Sequence, residues 1–105
     1  MATLKLTSLH CQRRNDLEGL DEPQIVVNKK AAWTGAIGKG DTQTLSTSVE
    51  FDDVATVVLQ ELDGSKPQQI GTAYTVSASG GNQVPLVFKT SGTHYELYYQ
   101  ITNKK

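Results

Sequence analysis

The chain holds a single cysteine, Cys11, so no disulfide closes within it and a disulfide-stapled scaffold is excluded. No apolar run approaches the ~20 residues of a membrane-spanning helix. Neither sign of charge dominates: ten Lys and Arg against eleven Asp and Glu leave a net charge of −1 and a pI near 6.1. The basic excess of a nucleic-acid-binding domain is missing, as is the acidic excess of a disordered tail. Residues Met1-Ala2-Thr3-Leu4-Lys5-Leu6 lack the basic stretch and the long apolar stretch of a signal peptide. The expectation is a cytoplasmic location, or export by a route without a cleaved leader. Internal repeats, low-complexity tracts and linkers are also lacking. At 105 residues and 11.4 kDa the chain supports one core and not two, so a single domain over 1–105 is expected.

What is abundant is β-forming. Val, Ile and Thr number nine, four and twelve, and such residues favour a pleated, half-buried surface. Period-2 alternation recurs. Leu4 and Leu6 alternate with Lys5 and Thr7, and Ile25 with Val27 forms a second piece. Ala32 to Ile37, around Trp33, forms a third. Leu45, Thr47, Val49 and Phe51 share one face, as do Ala55, Val57 and Leu59. Ile70, Thr72, Tyr74 and Val76 follow, then Val84, Leu86 and Phe88, then Tyr95, Leu97, Tyr99 and Ile101. Turn-formers separate them, among them Asn28-Lys29-Lys30, Asp52-Asp53, Asp63-Gly64-Ser65-Lys66-Pro67 and Ser79-Gly80-Gly81-Asn82. No segment holds a 3.6-residue period over three turns. The pattern predicts an all-β chain: an eight-stranded antiparallel β-sandwich.

Catalytic and cofactor signals are sparse. Gly35-Ala36-Ile37-Gly38-Lys39-Gly40-Asp41-Thr42 is glycine-rich, but a phosphate loop needs Gly-Lys-Ser/Thr opening a helix. Here a strand pattern follows, so a strand connection is the better reading. His10 and His94 are far apart in sequence and lack a second ligand at metal spacing. Cys11 neighbours His10, yet adjacent strand residues point to opposite faces, which spoils a thiolate–imidazole dyad. No Gly-x-Ser-x-Gly elbow occurs. Gln12-Arg13-Arg14 and Lys29-Lys30 read as solvated charge or as contacts to an anionic surface. Trp33 reads as a core or edge anchor, and Tyr98 with Tyr74 as either an exposed aromatic patch or a buried pair. No nucleophile–base–orienter set is visible, so the chain is expected not to be an enzyme.

The informative residues are carboxylates in turns. One cluster is Asp16-Leu17-Glu18-Gly19-Leu20-Asp21-Glu22-Pro23; the other is Glu61-Leu62-Asp63, which ends the strong strand before it. Residues two apart on a strand end project to one side, so Glu61 and Asp63 can reach one ion. Carboxylates grouped on loops suit a hard, oxygen-seeking cation such as calcium. They equally suit ordinary acidic turns.

These same stretches resemble a C2 domain. Leu4-x-Leu6 followed by Asp16-Leu17-Glu18-Gly19-Leu20-Asp21-Glu22-Pro23-x-Ile25-x-Val27 is similar to that family's first strand and its Asp-x-x-Gly-x-Ser-Asp-Pro-Tyr-x-x-Val loop. Val57-Val58-Leu59-Gln60-Glu61-Leu62-Asp63, then Gln69-Ile70-Gly71, is similar to its strand, Asp-x-Asp loop and Ile-Gly return. The order and the interval match, and the likeness spans residues 4 to about 78. Glu22 falls where the family has its second loop-one aspartate, and Asp21 falls on the preceding serine. Gln24 replaces the aromatic after proline, Glu61 stands in for an aspartate, and Gln68 lies near the last one. The resemblance implies a non-enzymatic binding module. Its possible calcium ligands are Asp16, Glu22, Glu61 and Asp63, with Asp21 beside them. It further implies contact with an anionic lipid surface or a protein partner. A different expectation rests on near-neutral charge and Thr/Ser-rich strands: a structural or self-associating subunit of a larger assembly, without an ion site.

Overall fold

The structure, a computed structural model, describes residues 1–13, 22–38, 40–62, 66–90 and 92–103, with the Arg13 side chain left aside. Within them lie nine strands: β1 (Ala2–Arg13), β2 (Pro23–Val27), β3 (Lys30–Thr34), β4 (Thr42–Phe51), β5 (Val54–Glu61), β6 (Gln68–Gln69), β7 (Tyr74–Ser77), β8 (Leu86–Lys89) and β9 (His94–Asn103). They form two antiparallel sheets in a sandwich-like arrangement. One runs β4-β1-β9-β8; the other runs β3-β2-β5, with β6 and β7 sharing the far side of β5. Among the described residues there is no helix.

The core comes from the alternation. Leu4, Leu6, Ile25, Val27, Phe51, Val57, Leu59, Ile70, Val76, Leu86, Phe88 and Leu97 are buried as expected, and Val49, Tyr74 and Ile101 are half-buried against them. Leu9, Cys11, Leu45, Tyr95 and Tyr99 join them, with Ala2, Ile37 and Ala55. β1 is longer than its Leu4/Leu6 start suggests. Its inward positions run Ala2, Leu4, Leu6 and then Leu9, Cys11. A bulge between Leu6 and Ser8, present against both β4 and β9, shifts the phase by one residue.

Where one strand was expected around Ile70 to Val76, the structure has β6 and β7. Ile70 is buried and its N–H donates to the Leu59 carbonyl at 2.8 Å, but Gly71 then turns away at φ +69°. A Cβ on Gly71 would lie 2.8 Å from the Lys89 amide nitrogen, so this link packs directly on the β8 backbone. Tyr74 closes the same side. Its hydroxyl donates to the Val87 carbonyl at 2.7 Å, and its ring meets Phe88 edge-on with centroids 5.3 Å apart. The other side, between β3 and β4, is an open groove of about 580 Å³.

Candidate acidic-loop site

Of the five expected ligands, Asp16, Asp21 and Asp63 lie outside the described residues. Glu22 and Glu61 lie within them, and the fold brings them together. β2 pairs with β5 so that Pro23 stands opposite Glu61. The Glu22 N–H donates to Glu61 Oε1 at 2.9 Å, and the Leu62 N–H donates to the Glu22 carbonyl at 3.1 Å. Glu22, just before β2, and Glu61 and Leu62, at the end of β5, are thus tied at one end of the second sheet. Gln24 strengthens the tie, since its Oε1 accepts from Gln60 Nε2 at 2.6 Å. One oxygen of Glu61 is committed to a backbone amide, a charge-assisted bond of the kind that holds a loop in place. Among the described residues no group of three or more His, Cys, Asp or Glu is placed to hold a metal ion. Glu22 and Glu61 therefore do not form a cation site by themselves.

The glycine-rich segment before β4 is confirmed as a strand connection. The Gly38 N–H donates to Asp41 Oδ2 at 3.0 Å, and the Asp41 N–H donates to the Gly38 carbonyl at 3.0 Å. The Gly40 N–H and the Cys11 carbonyl are joined at 2.7 Å, and the Cys11 N–H donates to the Asp41 carbonyl at 2.9 Å. These amides serve the turn itself, and that of Gly38 faces a carboxylate. Cys11 is buried, while its neighbour His10 lies on the opposite, solvent face. The expected separation of thiol and imidazole follows from the pleat.

Sequence reasoning kept the two histidines apart; the sheet does not. His10 stands opposite Glu96 on the β1–β9 pair, and His94 lies two residues before Glu96 on the same face. His10 Nδ1 bonds Thr42 Oγ1 at 2.7 Å, Gln12 Nε2 donates to Glu96 Oε1 at 3.0 Å, and His94 Nε2 is 3.8 Å from Glu96 Oε2. The result is a polar patch on the outer face. No local signal reveals it, because pairing of the first and last strands is a long-range property. Of the two readings of Tyr98 with Tyr74, an exposed patch or burial, neither holds for the pair: Tyr98 faces solvent on β9, whereas Tyr74 points between the sheets. Trp33 packs half-buried on the core and covers Gly35, where a Cβ would fall 2.4 Å from the indole Cζ2.

Compared with known protein families, curated proteins and solved structures, the chain matches none.

Proposed function

We propose that the protein is a non-enzymatic binding module on a C2-like β-sandwich, and that its acidic loop end takes calcium and through it meets an anionic lipid or protein surface. The observation that carries this reading is the bond from the Glu22 amide to the Glu61 carboxylate. It joins Glu22 and Glu61, two of the five carboxylates the C2 resemblance points to. The strand plan also supports it. β6 and β7 both pair with β5, and counted as one interrupted strand they leave eight positions in two sheets. Glu22 and Glu61 supply part of a donor set of hard oxygens, and Asp16, Asp21 and Asp63 would supply the rest. Calcium, when bound, would offset the mutual repulsion of these carboxylates.

Calorimetric titration tests the reading. Heat of binding is expected at calcium concentrations of ~10⁻⁴–10⁻³ M, the range of weak modules. Glu61→Gln keeps an amide oxygen to accept the Glu22 N–H but removes the charge, so the loops stay tied while the ion loses a ligand. The variant should keep the wild-type circular dichroism and bind calcium at least about tenfold more weakly. No heat from the wild type up to millimolar calcium removes the ion from the function.

A further inference from the structure

A sheet edge presents unpaired N–H and C=O groups, and folded proteins protect such edges by shortness, lysine, proline, bulges or cover. Three edges here are protected. β8 has four residues, gives its Val87 carbonyl to the Tyr74 hydroxyl and is backed by Gly71. β3 has five residues and opens on Lys29 and Lys30. β6 has two residues and follows Pro67, and β7 has four. The fourth edge differs. β4 runs for ten residues without Pro, Lys or Arg, and its one charge, Glu50, sits next to its end. It pairs with β1 on one side, and among the described strands none is hydrogen-bonded to the other. Beneath it opens the groove of about 580 Å³, with Val27, Ala31 and Ala32 on one wall and Thr47 and Val49 on the other. Val49 belongs to the inward face of β4 yet is only half-buried.

We propose that the outer edge of β4 joins the same edge of a second copy of this chain, antiparallel about a two-fold axis near Ser48. The two four-stranded sheets then become one sheet of eight strands. Antiparallel pairing is selected by charge. A parallel seam sets the two Glu50 carboxylates side by side, and like charges directly opposite are unfavourable. With the axis at Ser48, each Glu50 faces Ser46 of the other copy. The two carboxylates then stand about 13 Å apart along the seam, by strand rise, beyond the ~8 Å screening length at physiological salt. The axis falls in the regular run Thr47–Phe51 rather than at the register shift between Thr44 and Thr47. Thr47 of each copy faces Val49 of the other, and both point to the inner layer, where they cover the open mouth of the groove. A net charge of −1 leaves little repulsion between copies at long range.

Size-exclusion chromatography with light scattering over a dilution series reads the outcome. The wild type is expected to approach twice 11.4 kDa at high concentration and to fall to 11.4 kDa on dilution. Ser46 and Ser48 are both exposed, but Ser48 stands opposite Lys5 on β1, so Ser48→Lys also sets two ammonium groups side by side within one copy; thermal melts of dilute samples read that cost separately from the dimer. Ser48→Lys sets two ammonium groups opposite each other and should weaken the dimer by up to about fivefold. Ser46→Lys sets an ammonium opposite Glu50 of the other copy and should tighten it or leave it unchanged. A mass of 11.4 kDa at ~1 mM wild type overturns the proposal. So does a dimer that Ser48→Lys leaves as tight as before, or one that both lysines weaken alike. The seam lies on β4 of one sheet, Glu22 and Glu61 belong to β2–β5 of the other, and adding calcium is not part of this test, so a negative result here leaves the calorimetric test untouched.

Discussion

Tyr99 shows how one polar atom in the interior sets a pH limit. The side chain is buried, and its hydroxyl donates to the Gln83 carbonyl, tying β9 to the loop before β8. Burial raises its phenol above the ordinary value of 10.0, because the phenolate loses hydration inside the protein. Below pH 10 both folded and unfolded chains hold the proton, and the full stability is present. Above pH 10 the unfolded chain ionises first, so stability falls as pH rises towards the folded value. Denaturant melts at pH 8, 10 and 11 should show that decline. Tyr99→Phe is expected to lose about 1 kcal/mol at pH 8 through the missing hydrogen bond, and to fall less steeply than wild type above pH 10. Parallel curves for the two proteins over that range would contradict the assignment. The β2–β3 turn is settled at the same scale. Asn28 and Lys29 take φ of 51° and 70°, as a tight two-residue hairpin requires. The Asn28 side chain then accepts from the Thr56 N–H at 2.9 Å.

At the scale of elements, the link between β6 and β7 depends on Gly71. Its φ of +69° and the Lys89 backbone at 2.8 Å from a would-be Cβ penalise any side chain twice. Gly80 isolates the first penalty, since it has φ +100° but open space around it. Gly71→Ala should cost about 2–4 kcal/mol, from backbone strain and overpacking together. Gly80→Ala should cost about 1–2 kcal/mol, from strain alone. Equal losses in urea melts would mean that β8 yields to the new methyl group. Gly71 also explains a limit of the sequence pattern. Ile70, Thr72, Tyr74 and Val76 alternate without a break on paper, and only the contact with β8 splits them. The bulge in β1 is the opposite case. The apolar spacing Leu4, Leu6, Leu9, Cys11 already contains the one-residue slip, but a strict period of two stops reading at Thr7. The strand faces and the core were legible because each is a local alternation. The meeting of Glu22 with Glu61 was legible only through the order of two motifs. The patch of His10, Gln12, Glu96 and His94 was not legible, because it exists only once β1 lies beside β9.

The whole molecule is a sandwich closed on one side and open on the other, and its stability should be distributed accordingly. β1, β9 and β5 each have neighbours on both sides, while β3 and β4 end their sheets along the open groove. Amides hydrogen-bonded between inner strands are released only by large openings, whereas edge amides open locally at little cost. Native-state hydrogen exchange on dilute protein should therefore rank the strands. Amides of β1 and β9 around Leu4, Leu6, Leu97 and Tyr99 should exchange at or near the global unfolding free energy. That free energy is about 5–15 kcal/mol for a domain of this size. The β4 amides between Thr42 and Phe51 should divide in two: those directed at β1 slow, those directed outward fast. Amides of β3 bonded to β2 should exchange ahead of those of β4 directed at β1. The β7–β8 side is pinned by the Tyr74 hydroxyl and by Gly71, so β8 should exchange more slowly than β3 although it too ends a sheet. Tyr74→Phe removes the bond to the Val87 carbonyl and should bring β8 toward the rate of β3 while β1 keeps its protection. If β8 and β3 exchange at one rate in the wild type, the closure through Tyr74 contributes nothing to local stability, and the two sides of the sandwich are energetically alike.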